Sequence, residues 1–179
     1  HQLHFWEGDP LRCRADRPDL CLTDDFQRAV GLLKYYGMTF ELQGVSHQFV
    51  HFAELARDHP ETNFCLVHGG MLTSDDDATV DAWKAGLEHL VPLPNVWIKC
   101  SGLNFFTNSC DIDHMRIMLD HVLDRFGAER CFYGSNFPLE KLWARYDDLV
   151  GACKQILAPR PEADQRAFFH DTAAGFYRV

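Results

Sequence analysis

Six polar side chains stand where short apolar runs end. Gln43 and His47 follow Phe40-Glu41-Leu42, His68 closes Phe64-Cys65-Leu66-Val67, Lys99 and Ser101 finish Val96-Trp97-Ile98, and Asn136 follows Phe132-Tyr133-Gly134-Ser135. Imidazole titrates nearest neutrality, so His68 and His47 can move a proton or hold a metal ion. The amides, hydroxyl and ammonium at the neighbouring ends can orient water or bind substrate, and Lys99 suits an acid group. Gly69-Gly70 after His68 lets a backbone or ligand come close. Gly134-Ser135-Asn136 can cradle an anion on its backbone N–H groups or form a plain turn, with Pro138 removing one donor.

Other arrangements are excluded by geometry or by missing partners. His1 and His4, three apart in a strand, face opposite ways and do not form a metal pair. His51, His59, His89, His114, His121 and His170 fall on helices or their ends and read as solvated or capping groups. His68-Gly69-Gly70 has no G-x-S-x-G elbow to accompany it, which removes a serine esterase. Seven cysteines, odd in number and without a C-x-x-C pair, argue against a disulfide framework or a cysteine-rich zinc site. Cys65, Cys100 and Cys131 sit inside apolar runs as small hydrophobes. Reduced thiols point to a cytoplasmic location.

The elements that must position these groups follow from periodicity. Strands are expected at His1 to Trp6, Thr39 to Val45, Asn63 to His68, Asn95 to Ser101 and Arg130 to Gly134. Residues two apart share a face, so Phe64 and Leu66 should point with His68, and Trp97 and Ser101 with Lys99. Amphipathic helices fill the gaps. Thr23 caps one carrying Phe26, Val30 and Leu33 that stops at Gly37, and one with Phe49, Phe52 and Leu55 stops before Pro60. Ser74 and Asp77 make a capping box ahead of Val80, Trp83, Leu87 and Leu90. Ile112 to Phe126 form a stripe ended by Gly127, Leu142 to Ile156 a second ended by Pro159, and Phe169, Ala173 and Phe176 a last helix.

Strands alternating with helices predict an α/β fold with a parallel sheet, whose C-terminal strand ends form the site. A doubly wound open sheet and the later part of an eight-stranded barrel both fit five strands. A complete barrel takes about 250 residues, more than the 179 here, and the sequence opens inside a strand, so a fragment is expected. No linker or low-complexity tract divides residues 1–179, which read as a single domain. The net charge of -9 opposes attraction to nucleic acid and anionic membranes. No apolar run approaches the ~20 residues that span a bilayer, and no basic n-region precedes an apolar stretch. The expected partner is a small-molecule substrate.

Taken in order, Phe40-Glu41-Leu42-Gln43 with His47-Gln48, Leu66-Val67-His68-Gly69-Gly70-Met71, Asn95 to Leu103, Tyr133-Gly134-Ser135-Asn136-Phe137-Pro138 and Thr172 to Tyr177 resemble the amidohydrolase-related family. This is the branch of TIM-barrel hydrolases that includes pyrone-dicarboxylate and sugar lactonases. The resemblance implies a (β/α)8 barrel of which the chain is the C-terminal part, with about five of the eight strands. It implies opening of a lactone of a small carboxylated or sugar-derived compound, by water attack on a polarised carbonyl. His68 matches the family histidine that binds a metal or the scissile carbonyl, and His47 falls where relatives place a ligand or substrate contact. His68 and His47 are thus the metal ligands the resemblance offers here, with zinc the expected ion and further ligands upstream of His1; a metal-independent route is the alternative.

Asn136 stands where the family pattern G-S-D-W-P usually has an aspartate general base. An amide can orient water but cannot deprotonate it. His68, Glu140 and Glu7 are the substitute bases to weigh. His68 and Asn136 are the expected catalytic pair, and Gln43, His47, Lys99 and Ser101 the expected substrate contacts. A decarboxylase on the same barrel and a noncatalytic small-ligand binder are the alternative functions.

Overall fold

Apolar runs and amphipathic segments alternate along the chain, and they fold as four parallel strands joined by helices. The computed structural model describes residues 4–5 and 14–179. The strands are β1 (Phe40–Leu42), β2 (Phe64–Val67), β3 (Val96–Cys100) and β4 (Cys131–Tyr133), paired in the order β1-β2-β3-β4. In register, Cys65 lies beside Trp97, Val67 beside Lys99, and Lys99 beside Phe132. The strand expected at the start falls mostly outside the described residues, as do Glu7 and Cys13; His4 and Phe5 form no strand.

The connecting helices are α1 (Asp24–Leu33), α2 (Phe49–Asp58), α3 (Asp77–Leu87), α4 (Ile112–Phe126) and α5 (Tyr146–Leu157). They cover one face of the sheet. Leu42, Phe64, Leu66, Val96, Ile98, Cys100 and Cys131 pack there against Phe49 and Phe52 of α2, Trp83 of α3, Leu119 and Val122 of α4, and Ile156 of α5. Each large apolar side chain buried in this way contributes roughly 1.5–3 kcal/mol of transfer free energy. The opposite face carries a smaller cluster of Cys65, Val67, Phe132 and Phe176 with Trp97 beside it. Phe176 comes from the C-terminal segment, α6 (Glu162–Arg166), a π-helical turn and α7 (Thr172–Tyr177), anchored where Thr172 Oγ1 donates to the Ala128 carbonyl at 2.8 Å.

Some local expectations change. The N-cap of α3 is Asp76, which accepts from Thr79 N at 3.0 Å and Thr79 Oγ1 at 2.7 Å, so the Ser74/Asp77 box does not form. Thr23 precedes α1, but its hydroxyl donates backward to the Leu20 carbonyl. Leu142 is exposed outside α5, because Arg145 is extended and breaks helical continuity. His114 is buried rather than solvated, its Nδ1 hydrogen-bonded to the Asp75 carboxylate. The six described cysteines are free, and burial pushes the thiols of Cys21 and Cys153 up to about 12, which suits packing rather than reactivity. No helix among the described residues is long and apolar enough to cross a membrane.

Candidate active site

The C-terminal ends of β2, β3 and β4 meet at a cleft of about 630 Å³ lined by His68, Gly102 and Asn136, with Gln43 beyond β1. His68 does not continue the alternation of β2. Its φ of 58° turns the chain as the strand ends, so Phe64 and Leu66 stay on the helix-covered face while His68 swings to the side of Ser101. The expectation that the three share a face is therefore wrong: pleated alternation holds only while the backbone stays extended.

His68 is fixed through one nitrogen. Nδ1 lies 3.0 Å from Ser101 Oγ and 3.2 Å from the Ser101 carbonyl. A carbonyl only accepts, so Nδ1 carries the proton and Nε2 keeps its lone pair. Burial lowers the His68 pKa from 6.5, with the nearby Lys99 charge adding in the same direction against the Ser101 carbonyl, so the ring is neutral at pH 7.

Asn136 also has a left-handed backbone, φ 52°, and faces His68 across Gly102. A Cβ on Gly102 would lie 2.6 Å from His68 Nδ1 and 3.0 Å from Asn136 Nδ2, at a φ of 58°. Glycine is required for that close approach. Behind Asn136, buried Glu140 accepts from Asn136 Nδ2 at 3.3 Å and from Trp143 Nε1 at 2.7 Å. Glu140 does not line the cleft, so as a substitute base it has no direct path to water there.

Three expected contacts are placed elsewhere. His47 is exposed and lines a separate depression with Val45 and Trp83, apart from His68, because the chain bends into a tight turn at Ser46–Gln48. Lys99 does share its face with Trp97, but its ammonium binds Glu41 Oε1 at 3.0 Å and Tyr177 Oη at 3.1 Å instead of entering the cleft. Tyr177 also donates to Glu41. Burial would raise the Glu41 pKa, but the Tyr177 and Lys99 hydrogen bonds outweigh it and hold it below 4.5. Ser101 is buried, contacts His68 and does not line the cleft.

Sequence reasoning missed the rest of the lining. Arg14 brings a cation and His4 a second imidazole to the cleft, while Phe105, stacked edge-on to Trp143 with ring centroids 6.1 Å apart, builds an aromatic wall. The Phe105-Phe106 pair one residue past Asn104 was the available signal for that wall. Among the described residues no three His, Cys, Asp or Glu side chains converge as a metal site.

Comparison with known proteins bears on this arrangement. A family model described as Amidohydrolase matches residues 1–179. The uncharacterized protein y4mH of Sinorhizobium fredii is 32% identical over 171 residues, covering 96% of this chain and 57% of its own length. L-fucono-1,5-lactonase of Burkholderia multivorans is 29% identical over 192 residues, covering 97% of this chain and 65% of that protein. A crystal structure of an amidohydrolase from Burkholderia multivorans with bound zinc superposes with a TM-score of 0.88 at 26% identity, over 100% of this chain and 63% of that one. The chain therefore spans less than two thirds of these relatives. Its four parallel strands and their helices match part of an amidohydrolase barrel, as the family resemblance implies.

Proposed function

The chain belongs to the amidohydrolase family, and from that premise we propose that the whole protein hydrolyses a small cyclic ester, with His68 taking the proton from water and Asn136 orienting that water. The observation that carries the reading is His68, a cleft-lining imidazole whose Nδ1 is locked on Ser101, which leaves Nε2 as its basic nitrogen. The relative named as a lactonase supports the substrate class.

The step balances within the chain's own groups. The water oxygen forms a bond to the ring carbonyl carbon while its proton passes to His68 Nε2. The tetrahedral intermediate then expels the ring oxygen, the C–O bond breaks, and the leaving oxygen takes the proton from Nε2. The product is an open hydroxy acid. Arg14 supplies positive charge to the cleft, and the Phe105 and Trp143 wall accepts the carbon face of a small ring.

Zinc is bound in the solved relative. The described residues here do not by themselves form such a site, so no step above passes through a metal. His68 offers one nitrogen, and His47 lines a separate depression. The residues 1–179 are proposed to be one domain of the active protein.

The test is a pH-indicator screen of sugar and carboxylated lactones with the whole protein, with and without added zinc. Acid release from at least one lactone is expected. No opening under either condition, or carbon dioxide release without ring opening, refutes the reading.

A further inference from the structure

Glu140 has a defined environment and no part in the reaction as written so far. It is 1% exposed, and its two oxygens each meet a donor from a residue that lines the cleft, Asn136 Nδ2 for one and Trp143 Nε1 for the other. Its own backbone N–H donates to the Asn136 carbonyl at 3.3 Å, so backbone and side chain both tie the two residues. A buried carboxylate gains most from donors already aimed at it, and here both are supplied.

The consequence concerns Asn136. A free amide can present either its NH2 or its carbonyl oxygen to a neighbour. A carboxylate only accepts, so Glu140 selects the NH2 end and turns Oδ1 away from itself. We propose that Glu140 is a positioning residue that makes Asn136 a fixed acceptor toward the cleft. A water held by Asn136 Oδ1 and His68 Nε2 then has both hydrogens directed at acceptors. Its lone pair is left for the carbonyl carbon. The role of the water rests on the hydrolase reading; the orientation of the amide does not.

Two measurements on the whole protein test this separately. The Asn136 side-chain NH2 pair, identified in NMR spectra as the pair lost in N136D, should exchange slowly with solvent in the parent and faster in E140Q. In the same variant kcat should fall about 10- to 100-fold while KM stays within about twofold, the pattern of lost alignment rather than lost binding. An E140Q protein that keeps either the slow exchange or its kcat overturns the proposal. If no lactone is opened by the parent, the hydrolase reading fails and the amide exchange alone decides this one. If E140Q does not fold, N136D decides instead: two carboxyl groups at this spacing cannot both ionise normally, so one should titrate well above the carboxylate range. Ordinary titration of both overturns the contact.

Discussion

Two polar clusters, one on the face of the sheet opposite its helices and one at the C-terminal strand ends, differ in what they leave unspent. In the first, Lys99, Glu41 and Tyr177 bind one another, with the ammonium also 5.5 Å from the Tyr177 ring centroid. Gly134 allows this, since a Cβ there would meet Lys99 Cε at 3.1 Å. The opposite charges satisfy each other, and neither Lys99 nor Glu41 lines the cleft. In the second, Ser101 holds Nδ1 of His68 and Glu140 holds Nδ2 of Asn136, and both side chains line the cleft. A charged residue at a strand end therefore does not make a site; a side chain tied on one side only does.

The sharpest way to break this contrast is His68→Asn, which removes the basic nitrogen. Lactone turnover should drop by about 10²- to 10⁴-fold. In the parent the rate should rise with pH through an apparent value below 6.5, because burial disfavours the imidazolium. A pH-rate profile with its acid limb above 6.5 contradicts the assignment.

Gly102→Ala comes next. The added methyl intrudes on His68 and Asn136 together, and displacement of that size costs about 100-fold in kcat. Kinetics within a factor of about two of the parent would mean that the two side chains are not held in register by this glycine.

Lys99→Met should produce the smallest change. Turnover should stay within about twofold, and stability should fall by about 1 kcal/mol or less, as for a partly exposed ion pair. The Glu41 carboxyl is held below 4.5 in the folded state, so its contribution is present above 4.5 and lost as pH falls through the lower folded value. Urea midpoints of parent and variant should differ most above pH 4.5 and converge below it. A large loss of turnover would return Lys99 to the site.

Much of the frame was legible because burial and periodicity are local signals. The runs around Phe64, Val96 and Cys131 are strands within a residue of their expected limits, the run around Phe40 ends three residues short of Val45, and Gly127 closes α4 as its position predicts. The site was legible by position but not by direction. Nothing local announces that His68 leaves β2 in a left-handed conformation, so the alternation argument aimed it wrongly. Lys99 stands at a strand end and suits an acid group, but its partners Glu41 and Tyr177 lie 58 and 78 residues away, beyond any pattern of spacing. Glu140 could be named as a titratable group near the strand end, but its burial depends on Trp143 folding back over it.

His68 and Asn136 both occupy left-handed backbone at strand ends. Among non-glycine residues, asparagine, aspartate and histidine tolerate that conformation best. The bends thus act as a filter on the chemical alphabet at the mouth of the sheet: the residues that fit the backbone most cheaply are an amide, an acid and an imidazole. Exchanging one of these for another alters the proton inventory of the site at little cost to the main chain, which makes such positions natural places for one scaffold to change its chemistry.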